Sequence, residues 1–469
     1  MKYLPLILGI SVLTLPLASP SQHKENPSID IIYPRFGFPA IVEKNSTITI
    51  IYQAPYCIDS AVISTSFDPI PDKIKLKILS NQRSGENWYC KVLVPEETPE
   101  ELYNLTLCFG DISVTEPRAI YVENKVDGNF TFIHLTDFHV GDPRGMKESV
   151  WKTVGWKAAK RCIEEINLLN PDFVIITGDL VFGQIYPGEY GREYEKCYRI
   201  LERLQVPTFM CPGNHDGYIQ FGQDGFTFWK KYFGPLNYTF SYGNASFIAV
   251  NSYDWPRYAR LAFSILALSW GGYISENQLK WIEKELSRSC AKLKIIMLHH
   301  NPLWNTSHQS LFGIGYAGRE ELLRMIERYK VNAVFAGHVH FDDITILNDT
   351  IFITTTTAAS ATRGDAYWGY RLVTVRNWSI VSYNYKEPKY SIPLYHIECK
   401  ELDQFTKLVR NDLEKSINVR LTFLVPAGNY SINNGCVVME RKVNDKMEVY
   451  IDVYVPEKSE ILVRLERVD

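Results

Sequence analysis

Five short apolar segments of this sequence each end in polar residues that can bind a metal ion or transfer a proton. The most distinctive polar run is Pro212-Gly213-Asn214-His215-Asp216, which follows the apolar segment 206–210. An α/β sheet presents its chemistry in this way, at the carboxyl ends of its strands. Taken alone, such a run is more often a turn whose side chains hydrogen-bond to their own backbone. The other four segments therefore decide the interpretation.

The same pattern recurs at the four other segments, and five independent coincidences are not expected. The apolar runs and the polar residues after them are 131–136 with Asp137-Phe138-His139, 173–177 with Gly178-Asp179, 294–298 with His299-His300-Asn301-Pro302, and 333–336 with Gly337-His338-Val339-His340. Apolar runs of this length predict strands buried on both faces of a sheet. Helical patterns separate them, as in 148–169, which stops where Pro171 forbids continuation. This alternation predicts a largely parallel sheet with helices outside it.

The motif series resembles that of the calcineurin-like metallophosphoesterases over residues 128–390. This resemblance implies a four-layered αββα catalytic sandwich that hydrolyses phosphate esters with two divalent metal ions (manganese, iron or zinc). By the family pattern, the metal ligands are Asp137, His139, Asp179, Asn214, His299, His338 and His340. Carboxylates, imidazoles and an amide suit a pair of ions that activates water and clamps the phosphoryl oxygens.

The resemblance also implies a role for each residue of the site. The terminal ligands divide into Asp137, His139 and His340 for one ion, and Asn214, His299 and His338 for the other. Asp179 would bridge the two ions. His215 would protonate the leaving group, and Asp216 would orient the His215 ring. The alternative for His215 is a purely structural role.

Four further histidine and tryptophan residues near the motifs have open or secondary roles. In the pair His299-His300 the family pattern puts the first residue on the metal and His300 outside it. His134 lies on the opposite face of its strand from Asp137, which favours a histidine satisfied within the core. Trp304 and His308 follow on a loop and are candidates to line the pocket.

Two branches of the superfamily are disfavoured. Purple acid phosphatases carry a tyrosine three residues after the bridging aspartate, where this chain has Phe182, and they lack the histidine found here at position 139. The nucleases share the motifs, but a net charge of −3 gives no basic surface for nucleic acid, so the expected partner is a small phosphate ester. Outside the enzymes, the alternative is a cell-surface binding or structural protein that retains the fold.

The rest of the chain predicts two flanking domains, because 469 residues exceed what one core usually supports. Residues 27–125 alternate polar and apolar side chains, which predicts an N-terminal β-sandwich domain with a structural or accessory role. Residues 386–393 read as a linker, and residues 394–469 predict a small C-terminal β domain. Residues 258–270 form an apolar insertion that we expect to be buried, with a substrate lid or a lipid-facing patch as alternatives. It is the one expected place of membrane contact.

The N-terminal sequence and the sequons predict export. Residues 1–21 combine a lysine, a short apolar run and small residues, which is typical of a secretory signal peptide. Glycosylation sequons occur at Asn45, Asn104, Asn129, Asn237, Asn244, Asn305, Asn348, Asn377 and Asn429. We therefore expect a secreted or cell-surface glycoprotein. Some of its nine cysteines are then expected to form disulfides, with at least one left over.

Overall fold

The computed structural model describes residues 29–67, 73–142, 155–183, 188–266, 271–305 and 315–468. The predicted signal peptide at 1–21, His308 and the first residues of the helix predicted at 148–169 lie outside these ranges. Within the described ranges, no helix has the length and apolar character needed to cross a bilayer.

The N-terminal region consists of eight strands on one hydrogen-bonded path. They are β1 (Asp30–Tyr33), β2 (Ala40–Glu43), β3 (Thr47–Gln53), β4 (Ser60–Thr65), β5 (Lys73–Ser84), β6 (Asn87–Leu93), β7 (Glu101–Phe109) and β8 (Ile112–Glu123). The order across the sheet is β1-β3-β6-β5-β4-β7-β8-β2. Period-two alternation buries one face, so that Ile50 and Ile63 are in a shared core while Thr49 is exposed. This core is a cluster separate from those of the catalytic region.

Buried hydrogen bonds from the N-terminal region fix the strand that leads to the Asn214 motif. The Arg118 guanidinium donates to the carbonyls of Leu204 (2.9 Å) and Val206 (2.7 Å). The backbone N–H of Met210 donates to the Gly37 carbonyl at 3.2 Å. The N-terminal region therefore stabilises the start of one site-bearing strand without contributing any ligand.

The described part of the catalytic region contains two large sheets, a two-stranded sheet of β12 and β13, and six helices. Its strands are β9 (Phe130–Leu135), β10 (Phe173–Thr177), β11 (Thr208–Cys211), β12 (Ile219–Gln220), β13 (Gln223–Asp224), β14 (Tyr238–Tyr242), β15 (Ala245–Ala249), β16 (Leu293–Met297), β17 (Ala333–Ala336), β18 (Asp343–Leu347), β19 (Thr350–Thr354), β20 (Gly369–Arg376), β21 (Ser379–Ser382) and β22 (Ile392–Pro393). Its helices are α1 (Gly155–Leu169), α2 (Tyr190–Leu201), α3 (Gly225–Tyr232), α4 (Arg257–Leu266), α5 (Glu276–Arg288) and α6 (Arg319–Arg328), with a 3-10 turn at His215–Gly217. The first sheet has the order β11-β10-β9-β20-β21 and the second β14-β15-β16-β17-β19-β18.

These elements form helix, sheet, sheet and helix layers. Alternate residues of β9 and β10 face opposite sides, because side chains alternate along a strand. Phe132 and Phe173 stack at 5.2 Å between the two sheets, whereas Ile133 and Val174 pack in the cluster that contains residues of α1 and α2. Helices α5 and α6 cover the outer face of the second sheet. The predicted mixed α/β fold is confirmed.

The C-terminal region adds seven strands in two small sheets. They are β23 (Ile397–Asp403), β24 (Thr406–Asn411), β25 (Ile417–Pro426), β26 (Tyr430–Ile432), β27 (Cys436–Val443), β28 (Lys446–Val455) and β29 (Ser459–Arg467). The two sheets have the orders β23-β24-β29-β26 and β25-β28-β27. The linker interpretation of 386–393 is wrong in part, because β22 pairs with β20 and the Lys389 carbonyl accepts a hydrogen bond from buried Arg371.

The helix predicted at 148–169 is present within the described ranges as α1. Helix α1 ends at Leu169, before Pro171, as the proline requires. The side chain of Ser275 caps α5 by accepting a hydrogen bond from the N–H of Gln278 at 3.3 Å. Helix α3 was not predicted, because its eight residues, with four aromatic side chains, show no helical start signal beyond Asp224.

The apolar insertion forms helix α4, and the expectation of burial is wrong for part of it. The side chains of Tyr258 and Leu261 are 79% and 39% exposed. The reason is that Arg260 occupies the face turned to the protein, where it donates to the Gly217 carbonyl and to the Asp224 carboxylate, both at 2.7 Å. Residues 267–270 lie outside the described ranges, and membrane contact through 258–270 stays a prediction.

The expectation of disulfides is also wrong in this structure. All nine cysteines lie within the described ranges and each is a free thiol. Cys162, Cys197 and Cys211 are fully buried, and burial raises the pKa of their thiols well above the ordinary value. These residues therefore serve as small apolar side chains within the cores.

Candidate metal centre

The polar motifs meet at the carboxyl ends of strands from both sheets. In the parallel pairs β9–β10 and β10–β11, Leu135 lies opposite Ile176 and Thr177 opposite Cys211. The residues after these strands therefore begin at the same edge. On the second sheet β16 and β17 are parallel neighbours and lead to the other two motifs.

Several of the turns at this edge have an uncommon backbone conformation. Positive φ angles occur at Asp137 (56°), His139 (44°), Asp179 (53°), His338 (76°) and His340 (61°). Such conformations cost a non-glycine residue about 1–3 kcal/mol and concentrate at functional sites. Backbone hydrogen bonds hold them here, such as Asp137 N–H to the Gly178 carbonyl (3.0 Å) and His139 N–H to the Asp179 carbonyl (2.9 Å). In these backbone conformations the side chains of the five residues point toward the same edge of the sheets, where their ligand atoms come together.

A first cluster consists of Asp137, His139 and His340, all buried. Asp137 Oδ1 lies 3.3 Å from His139 Nε2 and 3.2 Å from His340 Nε2, and the two Nε2 atoms are 3.2 Å apart. His340 Nδ1 donates to the Ala361 carbonyl at 2.6 Å. This bond places the lone pair of neutral His340 on Nε2, which faces the cluster. Three ligand atoms of the kind that binds divalent ions thus converge.

A second cluster lies on the other side of Asp179. His299 Nε2 is 3.3 Å from His338 Nδ1 and 3.1 Å from Asp179 Oδ2, and Asp179 Oδ2 is also 3.4 Å from His139 Nε2. His299 Nδ1 donates to the Thr177 carbonyl at 2.6 Å, which leaves Nε2 as the ligand atom. Asp179 therefore lies between the two clusters, where a bridging carboxylate would be.

Asn214 lies in the turn next to Asp179, because the following residue, His215, donates its backbone N–H to Asp179 Oδ1 at 2.9 Å. The side-chain Nδ2 of Asn214 donates to the Tyr218 hydroxyl at 2.7 Å, while Oδ1 is buried without a hydrogen-bond partner. A buried acceptor without a partner costs about 1–3 kcal/mol. A divalent ion at this position would remove that cost, so the donor set fits the metal pair that the sequence predicts.

The charges of the site compensate one another without metal. Burial alone would raise the pKa of Asp137, but His340 and His299 outweigh it and hold that pKa well below the usual range. Burial would likewise lower the pKa of His299, but the carboxylates of Asp179 and Asp137 raise it to about 9. Without metal, the protonated imidazole of His299 thus supplies positive charge beside the two carboxylates, as a metal cation would.

Comparison with known proteins agrees with this geometry. Residues 130–342 match the calcineurin-like phosphoesterase family. The chain is 32% identical over 203 residues to the probable glycerophosphodiester phosphodiesterase GpdQ of Arcobacter nitrofigilis. This alignment covers 42% of this chain and 68% of that protein. The chain belongs to the calcineurin-like phosphoesterase family. Its predicted class, a hydrolase of phosphate ester bonds, is confirmed.

Two other similar proteins show the range of names among the relatives of this chain. A probable cyclic nucleotide phosphodiesterase of Vesicomyosocius okutanii is 25% identical over 222 residues, covering 45% of this chain and 79% of that protein. The serine/threonine-protein phosphatase CPPED1 of Rattus norvegicus is 26% identical over 211 residues, covering 39% of this chain and 59% of that protein. All three alignments cover less than half of this chain.

His215 lies beside Asp179 in this phosphoesterase site, but its side chain forms no hydrogen bond with the Asp179 carboxylate. Its Nδ1 donates to the Phe182 carbonyl at 2.5 Å, and its Nε2 lies 4.0 Å from Asp179 Oδ2. Burial lowers the pKa of His215 to about 4, although the charge of Asp179 opposes this shift. A phosphate anion beside Nε2 would raise that pKa. The ring is oriented for proton exchange at Nε2.

The predicted role of Asp216 is wrong, because this carboxylate does not contact the His215 ring. It accepts hydrogen bonds from the backbone N–H groups of Asp179 (2.7 Å), Leu180 (2.9 Å) and Gly213 (2.9 Å). In the 3-10 turn the side chains of these successive residues point in different directions, so Asp216 faces the β10 turn instead. It positions the backbone that carries Asp179.

The histidine and tryptophan residues with open or secondary roles in the sequence analysis lie near the two clusters where they are described. His134 is buried between the hydroxyls of Thr355 (2.7 Å) and Thr177 (2.8 Å), so it is a core histidine as predicted. His300 Nδ1 bonds to the Ser252 hydroxyl at 2.8 Å, and His300 also lies close to His299 and His338, so its place outside the ligand set stays a prediction. The ring of Trp304 lies 6.0 Å from that of Phe341, and its role in lining the pocket stays a prediction.

The sequence did not point to two residues that hold the site together. The Tyr218 hydroxyl fixes the amide of Asn214, as described above. Glu193, on α2, accepts a hydrogen bond from Gly183 N–H at 2.7 Å, and its carboxylate fills the space that a Cβ on Gly141 would occupy. Glu193 therefore connects the loops that follow the Asp137 and Asp179 motifs. Nothing in their spacing distinguishes these residues from core residues.

We expect Tyr218→Phe to weaken binding of the ion that Asn214 is predicted to hold. Without the hydroxyl, the Asn214 amide loses the partner that keeps Oδ1 toward the metal. Loss of such an orienting bond lowers metal affinity about 10- to 100-fold. Competition with a chromogenic chelator would measure this change. The control is Tyr242→Phe, because the Tyr242 hydroxyl contacts Glu123 and Asp172 at the opposite end of the sheet.

Proposed function

We propose that this chain is an exported, metal-dependent phosphodiesterase acting on small phosphate esters. The observation that carries the proposal is the convergence of two buried clusters on Asp179 with an unpartnered Asn214 Oδ1 beside it. Two relatives that the chain resembles at 25–32% identity bear the name of phosphodiesterase. Phosphomonoester hydrolysis by the same site is the second candidate.

The residues present divide the chemistry among themselves. When bound, two divalent ions would supply a water of lowered pKa and neutralise charge on the phosphoryl oxygens. Asp179 would hold both ligand clusters in register and offset the repulsion between two cations. His215 would transfer a proton from Nε2 to the leaving oxygen, with its Nδ1–H held by the Phe182 carbonyl. Asp216 would keep the Asp179 turn rigid during the reaction.

The test is metal-reconstituted hydrolysis of bis-p-nitrophenyl phosphate beside p-nitrophenyl phosphate. We expect faster cleavage of the diester. Preference for the monoester would favour a phosphatase instead. A protein that cleaves neither ester and binds no metal would support the alternative of a binding or structural protein that retains the fold.

Export and glycosylation belong to the same proposal. Residues 1–21 have the composition of a signal peptide, and each of the nine sequon asparagines is at least partly exposed. We further propose that residues 27–125 and 394–469 are accessory β domains, the first a β-sandwich. Expression of the full chain in eukaryotic secretory cells tests the export proposal. Protein retained in the cells with an intact N-terminus and no mass shift on glycosidase treatment would contradict it.

We expect metal affinity to rise with pH. The metal-free His299 has a pKa raised to about 9 by Asp179 and Asp137, although burial opposes this. A metal ion binds neutral imidazole, so binding below that pH must release the proton. The affinity should increase about tenfold per pH unit between about pH 6 and 8 for each proton released. Chelator competition and proton release in weak buffer measure this, and an affinity that stays flat over the range would contradict it.

A further inference from the structure

A cavity of ≈ 330 Å³ lies beside the loops that carry His340 and the Ala361 carbonyl to which His340 is bonded. Two of the chain segments that line this cavity lie next in sequence to His340 and to Ala361, the residue whose carbonyl holds the His340 ring. Phe341 directly follows His340, and Arg363 lies two residues after Ala361, whose carbonyl binds His340 Nδ1 at 2.6 Å. A substrate held at the metal centre could therefore extend one of its groups into this cavity.

The cavity walls carry two positively charged side chains. Arg363 and Lys389 both line the cavity, and within the described ranges neither forms a salt bridge. Lys389 Nζ lies 6.0 Å from the ring of Tyr390, which also lines the cavity. These two side chains contribute two positive charges to the walls.

The acidic residues of the cavity do not cancel this charge. Asp342 Oδ1 binds the Arg371 guanidinium at 2.8 Å, and its Oδ2 accepts from the N–H (2.9 Å) and hydroxyl (2.8 Å) of Ser391. The Asp342–Arg371 pair therefore has a net charge of zero. Asp365, which also lines the cavity, contributes one negative charge. The sum for Arg363, Lys389 and Asp365 is one net positive charge.

We propose that this cavity is a subsite for a second phosphate group, carried on one alcohol of a phosphodiester substrate. The inference rests on the proposed phosphodiesterase function and adds a substrate class to it. An arginine and a lysine suit a phosphate, because the guanidinium can donate two parallel hydrogen bonds and the ammonium adds a point charge. Phe341 and Tyr390 supply aromatic walls for the organic part that connects the two phosphates.

The experiment compares two chromogenic substrates that differ by one group. They are thymidine 5′-(p-nitrophenyl phosphate) and the same ester with an added 3′-phosphate. We expect the added phosphate to lower KM about 3- to 10-fold, the range of two partly exposed ion pairs. In the double variant Arg363→Gln/Lys389→Gln the ratio of the two KM values should approach one. Arg363→Lys, which keeps the charge, should retain most of the ratio.

Two controls separate charge recognition from damage. Lys386→Gln removes an exposed lysine that pairs with Glu414 at 2.7 Å and should keep the ratio of the unchanged protein. With p-nitrophenyl phosphorylcholine, which carries the opposite charge, the double variant should show a lower KM than the unchanged protein. Thermal unfolding of each variant checks that it folds.

The outcomes distinguish this inference from the proposed function. If the protein cleaves both thymidine esters with equal KM, the subsite is absent and the phosphodiesterase stands. A ratio that survives in the double variant places the anion elsewhere and also overturns the inference. If neither thymidine ester nor bis-p-nitrophenyl phosphate is cleaved by the metal-loaded protein, the proposed function itself fails.

Discussion

Replacement of Asp179 by asparagine is expected to lower phosphodiester hydrolysis on the order of 10³-fold or more, because it removes the charge on which both clusters depend. Asp179 Oδ2 lies 3.1 Å from His299 Nε2 and 3.4 Å from His139 Nε2. Its Oδ1 accepts the backbone N–H of His215 at 2.9 Å. Asparagine has the same shape but no charge, so two adjacent cations would repel each other without compensation.

The measurement is metal content by atomic spectrometry together with kcat for bis-p-nitrophenyl phosphate. We expect the variant to retain at most one ion per chain. The matched control is Asp172→Asn, since Asp172 lies just before β10 and Asp179 just after it. Asp172 binds the N–H of Thr131 at 2.6 Å and contributes no atom to the clusters. An Asp179→Asn protein with two ions and an unchanged rate would refute the bridging role.

The sequence predicts which side chains converge, because each of them lies in a short segment after an apolar strand. In parallel strands with fixed register, all such segments meet at one edge of the sheet. The strand pairs at β9, β10 and β11 show this register directly. Local pattern and global fold therefore carry the same information, and the spacing of apolar and polar residues is enough to locate the edge at which these side chains converge.

The supporting contacts could not be predicted in the same way. Asp216 differs from the expected role because a 3-10 turn decides which way its carboxylate points, and no residue pattern specifies that turn. Glu193 contacts the site from a helix, through a hydrogen bond to Gly183 that depends on how α2 packs. Tyr218 is similar, since its hydroxyl is recognisable as a partner of Asn214 only when both positions are known.

The exposure of the insertion and the state of the cysteines also depend on three-dimensional packing. Tyr258 is exposed because Arg260, a polar residue within an apolar run, finds two buried acceptors and takes the inner face of α4. A hydropathy pattern ranks arginine as outward-facing and so gives the opposite result. The cysteines are distributed among separate strands, helices and loops, and their number does not determine whether any two approach.

Replacement of His215 by alanine is expected to slow the hydrolysis of alkyl phosphodiesters about 10²- to 10⁴-fold, the usual contribution of a general acid. With p-nitrophenyl esters the loss should be much smaller, because p-nitrophenolate leaves without protonation. The geometry supports this difference. The Phe182 carbonyl, 2.5 Å from Nδ1, fixes the ring so that Nε2 faces the site, 4.0 Å from Asp179 Oδ2.

The experiment measures kcat for a series of diesters with leaving groups of increasing basicity, in His215→Ala and in the unchanged protein. Dependence on leaving-group basicity should steepen in the variant. Metal content must stay the same, since His215 Nε2 lies farther from Asp179 than the Nε2 atoms of His139 and His299 do. The control His396→Ala removes an imidazole from the C-terminal region, where its Nδ1 bonds to the Leu394 carbonyl at 3.0 Å. Equal losses for aryl and alkyl esters would assign His215 to phosphate binding rather than to proton transfer.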